Sequence, residues 1–224
     1  MQRNGFGTHI GVVLLALIVV PISGMAADSG SSAAAPKSES AGPAQRSPDA
    51  AIQSLDAALL KSMQMGKSAG YSGRYQALAP VLSKVFNFER IAELTLGPDW
   101  QKLSAAQQKT FVEVLREYTL ATYAGRFDSY DGERFAIVQT QAFQPGTVGV
   151  YATLTERNGK VHRFDYLLQK DGDDWRIVNV VADGVSDLAL KRAEYTETLR
   201  KKGFEALIQH LKKQIAAYRD GAKQ

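Results

Sequence analysis

The sequence has no cysteine and only three histidines among its 224 residues. A chain without cysteine forms no disulfide and offers no thiolate nucleophile, so packing must stabilise its folded part. The histidines, His9, His162 and His210, are too far apart in sequence to form a His-x-x-x-His pair. These absences exclude disulfide scaffolds, cysteine enzymes and zinc pairs carried on a single helix.

Several enzyme motifs are also missing. The chain lacks Gly-x-Gly-x-x-Gly, a Walker-type phosphate loop and the Gly-x-Ser-x-Gly nucleophile motif. A serine, a histidine and an acid can still meet in a folded chain, so an enzyme stays an alternative: a hydrolase or isomerase in a cone-shaped α+β fold. The main hypothesis is a protein without catalysis, with no catalytic residue, no metal and no cofactor.

The N-terminus has the pattern of a secretory signal peptide. Arg3 precedes an apolar run over residues 10–20, and the small residues Gly24 and Ala26 occupy the −3 and −1 positions of a cleavage site. The run is short for a membrane span. We therefore predict a cleaved signal peptide over residues 1–26, with an uncleaved anchor as the alternative.

The next segment, residues 27–48, consists largely of Ser, Ala, Pro and Gly. It has too few apolar groups to offset the entropy of ordering, which predicts a flexible linker. Residues 49–220 are long enough for a single domain with its own core.

The net charge of the chain is mild, at +4. The basic residues gathered near its C-terminus indicate a solvated helix face or contact with anionic headgroups or an acidic partner. We expect no nucleic-acid partner, because the chain is exported and has no stacking motif.

Helical periodicity dominates the first half of the domain. Residues 47–66, 71–86, 87–97 and 104–132 are predicted as helices. Ser104 and Gln107 form a capping box at the start of the last of these helices. Apolar residues then cover well over half of its circumference, which predicts burial on more than one side.

The period changes to that of β-strands over residues 134–143, 147–157, 160–170 and 173–182. Pro145-Gly146, Asn158-Gly159 and Asp171-Gly172 separate these segments and favour tight hairpins. An amphipathic helical region closes the chain. The predicted fold class is α+β: a helical N-terminal half, a curved antiparallel meander of four or slightly more strands, and C-terminal helices covering the sheet.

The last strand is apolar on both faces, with Ile177 and Val181 on one side and Val178 and Val180 on the other. A strand of this kind requires a cover on each face of the sheet. One of the two covers need not be protein.

Two groups of residues make the chain similar to a known family. The first lies in the helical half, from Phe86 to Glu133, and the second runs from Asp165 to Tyr195. The matching positions are Phe86, Phe88, Leu96-Gly97, Trp100, Gln107-Gln108, Phe111, Thr122-Tyr123, Tyr130, Gly132-Glu133, Asp165-Tyr166, Trp175, Ile177, Gly184-Val185-Ser186, Arg192 and Tyr195. The chain thus resembles the MlaC family, also called the toluene-tolerance auxiliary family. Its residues 126–135 and 189–216 are most similar to the hopanoid-biosynthesis-associated HpnM branch.

The resemblance implies a soluble periplasmic lipid carrier that passes cargo between inner- and outer-membrane systems. For the HpnM branch, the implied cargo is a hopanoid and the implied partner an RND-type inner-membrane transporter. For the MlaC branch, the cargo is a phospholipid, and the partners are an MCE-domain ABC complex and an outer-membrane lipoprotein complex. We expect a monomer.

A carrier needs an apolar cavity between the meander and the helices. The residues predicted to line it are Leu115, Tyr118, Tyr123, Phe127, Val150, Phe164, Tyr166, Leu168, Val178 and Val180. The alternative is that all ten are ordinary core residues. A third hypothesis for the whole protein is an adaptor whose apolar surface binds another protein.

Overall fold

The computed structural model describes residues 47–221. The predicted signal peptide and residues 27–46 of the predicted linker lie outside this range. Six helices and five strands are present in the described part, with 3₁₀ turns at Lys67–Ala69 and Gly97–Lys102. In chain order they are α1 (Pro48–Met65), α2 (Gly70–Val85), α3 (Phe88–Leu96), α4 (Ala105–Arg126), β1 (Arg134–Gln144), β2 (Thr147–Thr155), β3 (Val161–Asp171), β4 (Asp174–Ala182), β5 (Val185–Ser186), α5 (Asp187–Lys202) and α6 (Phe204–Arg219).

Local capping explains where the first and the longest helices begin. The Ser47 hydroxyl accepts a hydrogen bond from the Ala50 amide at 3.1 Å, and Pro48 occupies the first turn of α1. At α4, the Ser104 amide donates to the Gln107 side chain at 3.0 Å, and the Gln107 amide donates to the Ser104 hydroxyl at 3.3 Å. The predicted capping box is therefore confirmed.

The five strands form one antiparallel sheet in the order β1-β2-β3-β4-β5. Each strand pairs with the next one in sequence, so the predicted meander is confirmed, with the two-residue β5 added at its end. Gly159 and Gly172 have φ values of 87° and 61° at their hairpins. This left-handed conformation is easily adopted by glycine, which is why Asn-Gly and Asp-Gly mark these turns.

Three bulges interrupt the regular pairing of the sheet. Val138 and Phe143 are the unpaired residues in β1, and Val178 is the unpaired residue in β4. Val138 and Phe143 are exposed, whereas Val178 is fully buried. Bulges increase the local twist of a strand, and β1 is an edge strand of this sheet.

The buried apolar residues form two clusters. The sheet cluster lies between one face of the sheet and helices α1, α2 and α4, and the helical cluster lies among α3, α4, α5 and α6. Helix α4 contributes to both, through Leu120 and Ala124 to the first and Phe111 and Leu115 to the second. This double burial is what its wide apolar surface predicted. At the C-terminus, α5 packs on α3 and β4, and α6 packs on α4 and α5.

Candidate functional site: the groove between α1 and the sheet

The apolar face of the sheet is built from cross-strand rows of residues. Val150 pairs with Tyr166, which pairs with Val180. Ala152 pairs with Phe164 in the row beside it. Because directly paired residues of an antiparallel sheet point to the same side, these rows form one continuous apolar surface. We call it the inner face.

Helices α1, α2 and α4 cover the inner face. Ile52, Leu55 and Leu59 of α1 are almost completely buried against it, so the centre of the sheet cluster is closely packed. Aromatic rings line its side towards α4. Tyr123 stacks on Phe127 with ring centroids 5.6 Å apart, and Phe164 stacks on Tyr166 at 6.3 Å.

The aromatic rings on this side of the sheet cluster, which we call the aromatic layer, keep some accessible surface. Tyr123 lies deep in the domain, where burial raises the pKa of its hydroxyl. Its side chain nevertheless keeps some accessible surface, as do Phe127, Phe164 and Val180. These partly accessible side chains lie at the edge of the sheet cluster, which is therefore less completely covered than its centre.

A groove lies between α1 and β1, beside the sheet cluster. Its volume is about 420 Å³, within the range of small-molecule sites. One wall is formed by α1 and the other by residues 135–137 of β1. Phe135 and Ile137 also pack against the sheet cluster, so the same side chains border the groove and the interior. The groove is lined by Gln53, Asp56, Ala57, Leu60, Phe135, Ala136 and Ile137.

A second cavity of about 400 Å³ lies at the C-terminal end of α1, against residues 128–130. Arg74 fixes this end of the helix. Its Nε donates to the Ala124 carbonyl at 2.8 Å, and its Nη1 donates to the Gly66 carbonyl at 2.9 Å. Both acceptors lie at helix C-termini, where carbonyls lack intrahelical partners and a cation is favoured. The side chain of Ser62 also donates to the Phe127 carbonyl at 3.0 Å.

Sequence reasoning missed all seven residues of the groove, and the one of them that can ionise is Asp56. It is only 9% exposed and lies on the apolar face of α1, one turn from Ile52 and Leu59. Burial raises the pKa of its carboxyl to about 7. Its sequence signal is an acid in register with the apolar residues Ile52, Leu55, Leu59 and Met63.

The ten predicted cavity residues divide into three groups. Seven of them belong to or pack against the sheet cluster: Tyr123, Phe127, Val150, Phe164, Tyr166, Leu168 and Val180. Leu115 and Tyr118 lie in or against the helical cluster instead. Val178 is buried at the bulge of β4 and belongs to neither cluster. That these residues contact a ligand stays a prediction.

His162 is buried between two carboxylates, which bears on the enzyme alternative. Its Nε2 lies 2.7 Å from Glu156 Oε1, and its Nδ1 lies 3.0 Å from Asp183 Oδ2. Although burial alone would lower its pKa, these two hydrogen bonds outweigh burial and raise the pKa. A general base in a catalytic triad needs one ring nitrogen for the nucleophile, and both nitrogens of His162 face carboxylates.

Residues 47–221 contain neither a metal-binding cluster nor a membrane-spanning helix. In this range, no group of three or more His, Asp or Glu side chains is arranged to hold a metal ion. None of the helices there has both the length and the apolar character needed to cross a bilayer.

An antiparallel meander, covered by helices on its inner face and bordered by a groove, defines a class of α+β domain. The same fold occurs in a phospholipid-binding protein from Ralstonia solanacearum, solved in complex with a phospholipid. The TM-score is 0.67 at 19% identity, over 78% of this chain and 98% of that one.

The sequence profile of the family described as MlaC protein matches residues 53–213, and this chain belongs to the MlaC family. The toluene tolerance protein ttg2D from Pseudomonas putida is 22% identical over 130 residues, which are 58% of this chain. The match spans 60% of the length of that relative. The resemblance predicted from the sequence is confirmed at the level of the family.

Proposed function

We propose that this protein binds a lipid between α1 and the inner face of the sheet and carries it through the periplasm without catalysis. The observation that carries the proposal is the groove between α1 and β1, whose wall residues Phe135 and Ile137 also pack against the sheet cluster. Membership of the MlaC family and the phospholipid bound by the Ralstonia protein support it.

The energetics of hydrocarbon suit a shuttle of this kind. Burial of apolar surface stabilises by about 0.8 kcal/mol per methylene, so about 30 methylenes in open water would cost on the order of 20 kcal/mol. Transfer from a membrane into an apolar site avoids most of this cost, because the lipid is dry at both ends of the step. Release then requires docking to an acceptor, since dissociation into water carries the full penalty.

Binding of a whole lipid requires more room than the groove offers. Ligand sites span about 300–1,000 Å³, and a groove of about 420 Å³ accommodates part of a two-chain lipid. Helix α1 packs on α2 and meets the sheet at β1, β2 and β4. We propose that α1 moves outward from β1 on α2, so that the chains reach the inner face.

In this proposal, the bound chains contact Tyr123 of α4, Phe127 directly after α4 and the predicted inner-face residues. Those inner-face residues are Val150, Phe164, Tyr166, Leu168 and Val180. For Leu115, Tyr118 and Val178, a lining role requires chains that extend beyond the sheet cluster.

The cellular part of the proposal follows the family. Residues 1–26 would be a cleaved signal peptide and residues 27–48 a flexible tether for the single domain over residues 49–220. The cargo would be a hopanoid or a phospholipid. It would be received from or given to an inner-membrane transporter, either RND-type or an MCE-domain ABC complex, and exchanged with an outer-membrane acceptor by a monomer.

The adjacent residues Val180 and Val181 allow a matched test. Val180 is on the inner face, paired with Tyr166, whereas Val181 pairs with Asp165 and points to the opposite side. The purified protein, Val180→Trp and Val181→Trp are incubated with vesicles of phosphatidylethanolamine and phosphatidylglycerol, and bound lipid is measured by native mass spectrometry. Circular dichroism spectra check that both variants are folded.

The wild type and Val181→Trp are expected to acquire lipid. Val180→Trp is expected to acquire little, because the indole fills the space beside the aromatic layer. Equal uptake by the two variants would contradict the proposed location. A wild type that takes up no lipid would contradict the function itself.

A further inference from the structure

The carboxylate of Asp56 has an oxygen that is buried without a hydrogen-bond donor among the described residues. Its Oδ1 is buried and has no hydrogen-bond donor among residues 47–221. It borders the groove at the level of Ala57 and Leu60 on its own helix and residues 135–137 on β1. An unsatisfied buried acceptor costs roughly 1–3 kcal/mol, and more when it carries charge. Within residues 47–221, Oδ1 of Asp56 therefore carries this cost without compensation.

The charge of Asp56 also acts on the aromatic layer. Burial is the main cause of the raised pKa of the hydroxyls of Tyr123 and Tyr166, and the charge of Asp56 contributes to both. Both tyrosines belong to the aromatic layer that the bound lipid would contact. Asp56 thus lines the groove and lies near enough to the aromatic layer for its charge to act on two of the tyrosines there.

We propose that Asp56 is the polar anchor of the groove and selects a lipid whose polar end donates a hydrogen bond, as an alcohol or an ammonium group does. The inference rests on the proposed lipid-carrying function and adds the chemistry of the cargo. Oδ1 is covered in this structure, so a donor group in the groove would reach it once α1 has moved outward from β1 as proposed above, and the hydrocarbon part would extend along the inner face.

Other lipid groups fit this position less well. A phosphate is negatively charged, and repulsion between like charges is strong where apolar side chains exclude water. An ether or ester oxygen only accepts hydrogen bonds, so it leaves an ionised carboxylate unpaired. Alcohols and amines share the required donor, and the experiment distinguishes them.

The test compares lipids that share their acyl chains and differ at one polar group. The probes are a 1,2-diacylglycerol, its 3-O-methyl ether, the corresponding 1,2-diacyloxy-3-aminopropane and the corresponding phosphatidic acid. Each is offered in phosphatidylcholine vesicles at pH 8, where the Asp56 carboxyl is ionised. The proteins are the wild type, Asp56→Leu, Asp56→Asn and Asp128→Asn, and bound lipid is counted by native mass spectrometry.

The wild type is expected to retain the alcohol or the amine about tenfold more than the methyl ether, the usual effect of one hydrogen bond to a charged group. Which of the two is retained more identifies the donor. Asp56→Leu should bind the alcohol and the ether equally, with undiminished binding of the ether. Asp128→Asn, at the second cavity, should behave as the wild type does.

Two results would overturn the inference while leaving the carrier function standing. The first is equal retention of alcohol, amine and ether by the wild type. The second is a donor preference that survives in both Asp56→Leu and Asp56→Asn. If the proteins retain phosphatidylcholine but none of the four probes, this inference alone is overturned; if they retain neither the probes nor phosphatidylcholine, the carrier function is overturned with it.

Discussion

The buried carboxyl of Asp56 should make the stability of this protein depend on pH in a defined direction. Its pKa is raised from 3.8 to about 7 because burial disfavours the charged form. In the unfolded chain the group ionises near 3.8. A carboxyl with a raised pKa stabilises the fold fully at pH values below 3.8, and this contribution is lost as the pH rises through about 7.

The size of the effect follows from the two pKa values. Each pH unit over which only the unfolded chain is ionised costs about 1.4 kcal/mol of folding free energy. The interval from 3.8 to about 7 therefore corresponds to about 4 kcal/mol at high pH. Asp56→Asn keeps the shape of the side chain and removes the ionisation. Relative to the wild type, its free energy of unfolding should be about 3 kcal/mol higher at pH 8 than at pH 4.5, because the variant does not lose this stability as the pH rises.

Urea unfolding at several pH values, followed by the fluorescence of Trp100 and Trp175, measures this difference. Asp56→Leu serves as a second variant, since it removes the same charge without adding an amide. Both variants should show the same flattened dependence on pH, whatever their absolute stability. Parallel curves for the wild type and both variants would show that Asp56 is not desolvated as the fold requires.

Three further predictions concern stability. His162→Gln should reduce the loss of stability as the pH rises above 6.5. Because the pKa of His162 is raised in the folded protein, protonated His162 stabilises the fold below pH 6.5, and this stabilisation is lost as the pH rises through the folded pKa. Equal pH profiles of the variant and the wild type in urea unfolding would contradict this. Arg74→Met should lower the free energy of unfolding by about 2–4 kcal/mol, because two helix-terminal carbonyls lose their donor, and an unchanged urea midpoint would refute it. Gly125→Ala should lower the melting temperature, because the new Cβ would lie 2.7 Å from the Tyr218 ring; a higher melting temperature would mean that helix propensity outweighs the clash.

Much of the fold could be predicted because local signals specify it. Ser104 and Gln107 satisfy each other's backbone groups within one turn, so the start of α4 follows from sequence alone. Asn158-Gly159 favours its hairpin for a similar reason, because the turn requires a positive φ. The residues that share the inner face also follow from alternation along the strands, as Phe164, Tyr166 and Leu168 do.

The partners of each helix could not be predicted in the same way. The apolar surface of α4 is wide, and periodicity does not tell which part meets the sheet. Leu115 and Tyr118 were grouped with Tyr123 and Phe127, yet the first pair packs towards α5 and α6. That choice depends on tertiary packing, which no spacing within one helix records.

Asp56 illustrates a second limit of the sequence. A single acid among apolar residues can turn towards solvent or lie at the edge of a buried stripe. Its burial depends on β1, which is far away in sequence and forms the other wall of the groove. The spacing from Ile52 and Leu59 indicates the face of the helix but says nothing of the wall opposite it.

The central claim is that lipid occupies the space between α1 and the inner face. Native mass spectrometry of the protein purified from cells in mild conditions, followed by organic extraction and identification of what is released, tests it most directly. The account predicts a mass above that of the chain, which falls to the chain mass after extraction and matches one released lipid. A protein that has only the mass of the chain, both as purified and after incubation with vesicles, would contradict it.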